Sequence, residues 1–121
     1  MIGKIYISIC KYFDKNTKQN RFKQRPVLII GQADKFDFVV LPISTVTNKD
    51  NLNEKYDFEL QPNEFPLIGL KRVCYIRTHK QTIINRADLK RKIIDFQAEY
   101  SDTYKTVLKK VKEFQNEFLD I

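Results

Sequence analysis

From Gly3 to Cys10 apolar and polar positions alternate. Ile5, Ile7 and Ile9 fall on one side and Lys4, Tyr6 and Ser8 on the other, the pattern of a half-buried strand. The alternation then stops. Lys11 to Gln24 has no period, and its Asp14, Asn16 and Asn20 among five basic residues predict a long mobile loop. Val27 to Ile30 is a continuous aliphatic run, which predicts a strand covered on both faces. Pro26 lacks an N–H and suits the first position of that strand better than its middle. Gly31 to Phe36 predicts a hairpin into an antiparallel strand over Asp37 to Ile43.

Asn48 to Asn53 reads as a polar loop. Tyr56 to Leu60 alternates as a strand, and Pro62 and Pro66 bracket an irregular connection. Gly69 to Ile76, running on to Arg77, predicts another strand. Gln81 to Ile84 continues extended, Asn85 is placed to cap a single turn through Leu89, and Lys92 to Phe96 predicts a last short strand. From Ser101 the period becomes helical: Tyr104, Val107, Leu108, Val111, Phe114 and Phe118 form one stripe opposite Lys105, Lys109, Lys110 and Lys112. Ser101 is the expected N-cap, and the stripe is expected to pack on the sheet as core. The sum is a mainly β protein with a C-terminal helix, a small, strongly curved antiparallel barrel forming one domain over residues 1–121.

Composition adds a sign to this outline. Lys and Arg number 22 against 15 Asp and Glu, a net charge of +7. A field of that sign suits a polyanionic partner, and it equally suits a lysine-rich surface with no binding role. Cys10 and Cys74 sit among apolar residues as free thiols, and two cysteines make no disulfide framework. Without a membrane-length apolar run or a signal-peptide pattern at Met1 to Lys4, the expected location is the cytoplasm.

Some chemistries have no residues to carry them. Three glycines, at 3, 31 and 69, cannot build a phosphate-cradling loop, and one histidine with two distant cysteines cannot close a zinc site. No cofactor is expected. The hairpin geometry returns Ser44 and Thr45 to the side of Arg25, so one cation and two hydroxyls share a rim of the sheet. Arg, Ser, Thr and His suffice for RNA cleavage without metal, in which the ribose 2′-OH attacks the adjacent phosphate. Arg25 can offer charge and paired donors to a phosphate, although the residue taken alone reads better as an exposed strand-start arginine. His79 titrates near neutrality and is a candidate base, with plain solvation as its alternative. Lys18, Arg21 and Lys23 line the approach to Arg25, and Arg72, Arg77 and Lys80 are further candidate RNA contacts.

The ordered set Lys23-Gln24-Arg25-Pro26-Val27-Leu28-Ile29-Ile30, a hairpin, then Val39-Val40-Leu41-Pro42-Ile43-Ser44-Thr45 resembles the core signature of the MazF/PemK/Kid toxins of bacterial toxin–antitoxin systems. The likeness extends to Gly3-Lys4-Ile5-Tyr6, to Ile76-Arg77-Thr78 and to the closing helix. It implies an SH3-like barrel of the CcdB/PemK type. It also implies an endoribonuclease acting on single-stranded RNA, a homodimer with a shared basic groove, and an antitoxin whose acidic, partly disordered tail fills that groove. Ser44 then aligns with the threonine such enzymes use beside the arginine, and Thr45 with the small residue after it. The chain departs from the pattern at Cys74, where many relatives have an acidic residue, and at His79-Lys80. Two other readings stay open: a gyrase-directed barrel like CcdB, whose Trp-containing tail this chain lacks at Phe118 to Ile121, and a non-catalytic RNA-binding regulatory barrel.

Overall fold

The computed structural model describes residues 1–119. Asp120 and Ile121, included in the expected domain and tail, lie outside the described residues. Seven strands run β1 (Lys4–Asp14), β2 (Gln19–Gln32), β3 (Asp37–Ser44), β4 (Asp57–Leu60), β5 (Cys74–Arg77), β6 (Thr82–Asn85) and β7 (Leu89–Asp95), followed by a turn of helix α1 (Phe96–Glu99) and the long helix α2 (Ser101–Leu119). They form one curled antiparallel sheet in the order β4-β5-β3-β2-β1-β7, with β6 also paired to β3. This is a mainly β, curled antiparallel half-barrel with a C-terminal helix, in keeping with the strongly curved antiparallel barrel that the sequence pattern predicts.

β3 is the hub of the sheet. One edge holds β2, with Val27 opposite Pro42 and Leu28 opposite Leu41. The other is shared: Asp37 to Val40 pair with β6, whereas Ile43 and Ser44 pair with β5. That division pulls β5 and β6 apart and curls the sheet. β2 is covered on both faces, as its unbroken aliphatic run predicts. Leu28 packs in the main core with Ile5, Leu41, Ile43, Ile76 and the helix residues Tyr104, Val107 and Val111. Val27 and Ile29 enter a second core with Phe38, Val40 and Ile84. Burying a side chain such as Leu28 contributes about 1.5–3 kcal/mol.

Several local expectations need correction. Lys11 to Gln24 is not a mobile loop: β1 continues to Asp14, β2 starts at Gln19, and Tyr12 faces Arg21 across a two-stranded ribbon. β7 leaves β1 after Ser8 and β3 joins β2 only at Val27, so the ribbon has no buried face to imprint a period. Pro26 consequently lies inside β2, just before β3 joins, where one edge of the strand is unpaired. The alternation in β1 breaks at Ser8, which is fully buried while Ile7 and Ile9 are only half-buried, because register shifts against β7 turn the strand. Ser101 is the first residue of α2 rather than its cap: Asp95 caps the preceding turn by accepting from the Ala98 N–H, and the Tyr104 N–H bonds back to Tyr100. Asn85 does cap its turn, accepting from the Ala87 N–H. Phe118, at the end of the helical stripe, is exposed.

Candidate active site

At the junction of β2, β3 and β5 a cavity of about 360 Å³ opens to the surface. Antiparallel pairing of β2 and β3 carries the end of β3 back beside the middle of β2, so Arg25 and Ser44 meet despite nineteen intervening steps of chain. The Arg25 Nη1 donates to Ser44 Oγ at 3.0 Å. Both side chains are half-buried and line the cavity. Lys23 and the exposed Thr45 line it as well, followed by Thr47, Asn48 and Asn51 from the polar segment after β3. Asn48 caps the single turn over Lys49–Asn51 by accepting from the Asp50 N–H, which fixes the backbone there.

Arg77, at the end of β5, is the second guanidinium of this wall. Its Nε and Nη2 donate to Asp57 Oδ1 and Oδ2 at 3.0 and 3.1 Å, and Nη2 also donates to the Asn51 carbonyl at 2.8 Å. Asp57 faces Arg77 directly across the β4–β5 pair, and its side chain is 0% exposed. The Asn53 N–H donates to the same carboxylate at 2.8 Å. Asp57 did not stand out in the sequence, because a lone acid in the run Tyr56 to Leu60 looks like the polar face of an alternating strand. Instead the strand starts at Asp57, and both Asp57 and the preceding Tyr56 are buried. The only signal was Arg77 itself, a cation ending a buried strand and needing a partner.

His79 adjoins Asp57 and is not among the residues that line the cavity. Its ring packs against Tyr56 and edge-on against Phe114 of α2, with centroids 6.2 and 6.1 Å apart. Nδ1 is 3.7 Å from Asp57 Oδ1, beyond hydrogen-bond range, and among the described residues it has no hydrogen-bond partner. Burial pushes its pKa below the ordinary 6.5, opposed by the charge of Asp57 and aided by Arg77 and Lys80. The structure therefore separates His79 from the Arg25–Ser44 pair.

The remaining expected contacts divide by position. Lys18 occupies the tip of the ribbon in a left-handed conformation, φ 56°, and Arg21 is tied to Asp14 at 3.1 Å on the same ribbon. Arg72 is exposed just before β5, where its carbonyl takes a weak contact from the Cys74 thiol at 3.5 Å, and Lys80 is exposed beyond Arg77. None of these four lines the cavity, whereas Lys23 and Arg77 do. Cys74 lines it too, and burial raises its thiol pKa against the pull of Arg72, so the thiol stays protonated at neutrality. Among the described residues no three His, Cys, Asp or Glu side chains cluster as a metal site would require, and no helix is long and apolar enough to cross a membrane.

The cavity is therefore lined by two arginines, a lysine, hydroxyls and amides, a set that binds anions and positions them. Among solved structures the chain is similar to the Mycobacterium tuberculosis toxin MazF-mt6. The likeness covers 92% of this chain and 96% of that one, with a TM-score of 0.58 and 16% sequence identity. At that identity the likeness is one of fold. No protein-family model matches the sequence, and no curated protein matches it.

Proposed function

We propose that this chain is a toxin-type endoribonuclease that cleaves single-stranded RNA, mRNA in the cell, without a metal ion. The observation that carries the reading is the Arg25–Ser44 hydrogen bond of 3.0 Å inside a cavity that also holds Arg77. A phosphodiester seated there has its non-bridging oxygens beside fixed guanidinium charge. The 2′-oxygen attacks phosphorus and the P–O5′ bond breaks. The 2′-hydroxyl proton passes to water and the 5′-oxygen takes one from water, leaving a 2′,3′-cyclic phosphate and a 5′-hydroxyl. Water can later open the cycle to a 3′-phosphate. Arg25 stabilises the charge that builds on the phosphoryl oxygens, Ser44 holds Arg25 in place, and Thr45 at the strand end adds a donor to the substrate. His79 takes no proton in this scheme, because it is not among the residues that line the cavity.

Lys23 and Arg77 contact the RNA in the cavity, while Lys18, Arg21, Arg72 and Lys80 attract it from outside. The fold likeness to a MazF toxin and the net charge of +7 support a homodimer with a basic groove and a cognate antitoxin bearing an acidic, partly disordered tail. Such a protein works in the cytoplasm. A second reading has one observation in its favour: among the described residues the cavity lining contains no carboxylate and no imidazole, as suits a barrel that binds RNA without cutting it. Incubating a labelled single-stranded RNA with the protein in EDTA separates the two. The nuclease yields fragments ending in a cyclic phosphate, and intact but bound RNA selects the second reading.

A further inference from the structure

Asp57 touches nothing in the cavity, yet one of the cavity's two guanidinium groups is built on it. Its carboxylate is fully buried, while the Arg77 side chain retains 18% exposure. The two bonds of 3.0 and 3.1 Å engage the Nε–Nη2 edge of Arg77 in parallel, and the Asn51 carbonyl at 2.8 Å takes a second hydrogen of Nη2. Three bonds in the plane of a guanidinium remove its freedom to rotate. They also leave Nη1 outside these contacts, on a residue that lines the cavity. The Asn53 N–H satisfies Oδ2 further at 2.8 Å, and His79 Nδ1 at 3.7 Å is too far to compete for Oδ1. A buried ion pair often contributes no more to stability than an apolar pair of the same shape, so stability alone does not account for charges at this spot.

We propose that Asp57 is a positioning residue: it clamps Arg77 by one edge so that the remaining edge is held toward the RNA phosphate bound beside Arg25. The proposal rests on the nuclease reading for its substrate and on the Asp57–Arg77 geometry for its mechanism. Asp57 acts only through Arg77, which makes the two residues one unit in any rate measurement.

The test is a double-mutant cycle on single-turnover RNA cleavage with Asp57→Asn, Arg77→Ala and the double variant. Asparagine keeps the shape and one acceptor but removes the charge. Asp57→Asn is expected to slow cleavage about 10-fold to 100-fold, the usual loss when a group that orients a functional residue is removed. The double variant is expected to match Arg77→Ala alone. Losses that multiply, or an Asp57→Asn variant at wild-type rate, overturn the proposal. A second readout needs no cleavage: the Arg77 Nε–H resonance of the 15N-labelled wild-type protein. It is expected to exchange slowly with water and to shift when inorganic phosphate is added. Slow exchange with a phosphate response in a protein that leaves RNA intact upholds the clamp and rejects the nuclease reading. An Nε–H that exchanges like a surface arginine, or ignores phosphate, rejects the clamp even if RNA is cut.

Discussion

Replacing Ser44 and His79 separately by alanine is expected to damage the protein in opposite ways. Ser44→Ala removes one hydrogen bond, the 3.0 Å contact from Arg25, and leaves a half-buried guanidinium that water can still reach. The stability loss is then about 1 kcal/mol. With about 2.1 cal/mol/K of unfolding entropy per residue, a chain of 121 residues has about 0.25 kcal/mol/K, so Tm drops by about 4 °C. The rate falls further, by about 10-fold to 100-fold, because Arg25 loses the group that aims it. His79→Ala does the reverse. It removes a ring packed on Tyr56 and Phe114 and opens a void, for about 1–3 kcal/mol and a Tm loss of about 4–12 °C, while the Arg25–Ser44 pair stays intact. Single-turnover cleavage of one short RNA between about pH 5 and 8, well below both melting points, reads the rates. A larger rate loss in His79→Ala, with its pH profile flattened, would refute the placement of the chemistry at Arg25 and Ser44.

His79 also makes stability depend on pH. Its pKa is lowered on folding, so the unfolded chain binds the proton more readily; stability is intact above the ordinary 6.5 and declines as pH falls from there through the lowered value. Calorimetry across that window should show Tm falling in the wild type and a flatter response in His79→Gln. RNA affinity should fall steeply with salt, each phosphate neutralised contributing about −0.7 to the log–log slope, and a flat response in filter binding would exclude a basic groove. Gly3 holds φ 85°, and a Cβ there would collide with the Gln97 side chain, so Gly3→Ala should cost about 1–2 kcal/mol in urea unfolding; an unchanged midpoint would contradict the tight β1–α1 contact, in which the Gln97 N–H donates to the Gly3 carbonyl.

Core strands were legible because burial leaves a period. Val27 to Ile30 announced coverage on both faces, and Tyr104, Val107 and Val111 announced the face of α2 that reaches the core. The ribbon over residues 11–14 and 19–24 was not, since strands exposed on both faces carry no such pattern, and its Phe13 and Phe22 are 59% and 70% exposed. The meeting of Arg25 and Ser44 followed from one hairpin and so was readable. The Asp57–Arg77 pair needed the registration of β4 on β5 across a long irregular connection, which no local signal specifies. His79 misled for a related reason: a histidine just past a strand end reads as solvated or reactive, and only the packing of α2 reveals that it is enclosed.

Whether Arg25 carries metal-free RNA cleavage is decided by incubating a labelled single-stranded RNA in EDTA with wild type and with Arg25→Ala. Arg25 is half-buried and its side chain packs in neither core, so the variant should fold with a Tm close to wild type. Loss of its charge should slow cleavage by about 100-fold to 1,000-fold. Metal-free cutting by wild type, abolished by Arg25→Ala in a folded protein, is the expected result. RNA left whole by wild type, cutting only with added Mg²⁺, or undiminished cutting by Arg25→Ala would contradict it.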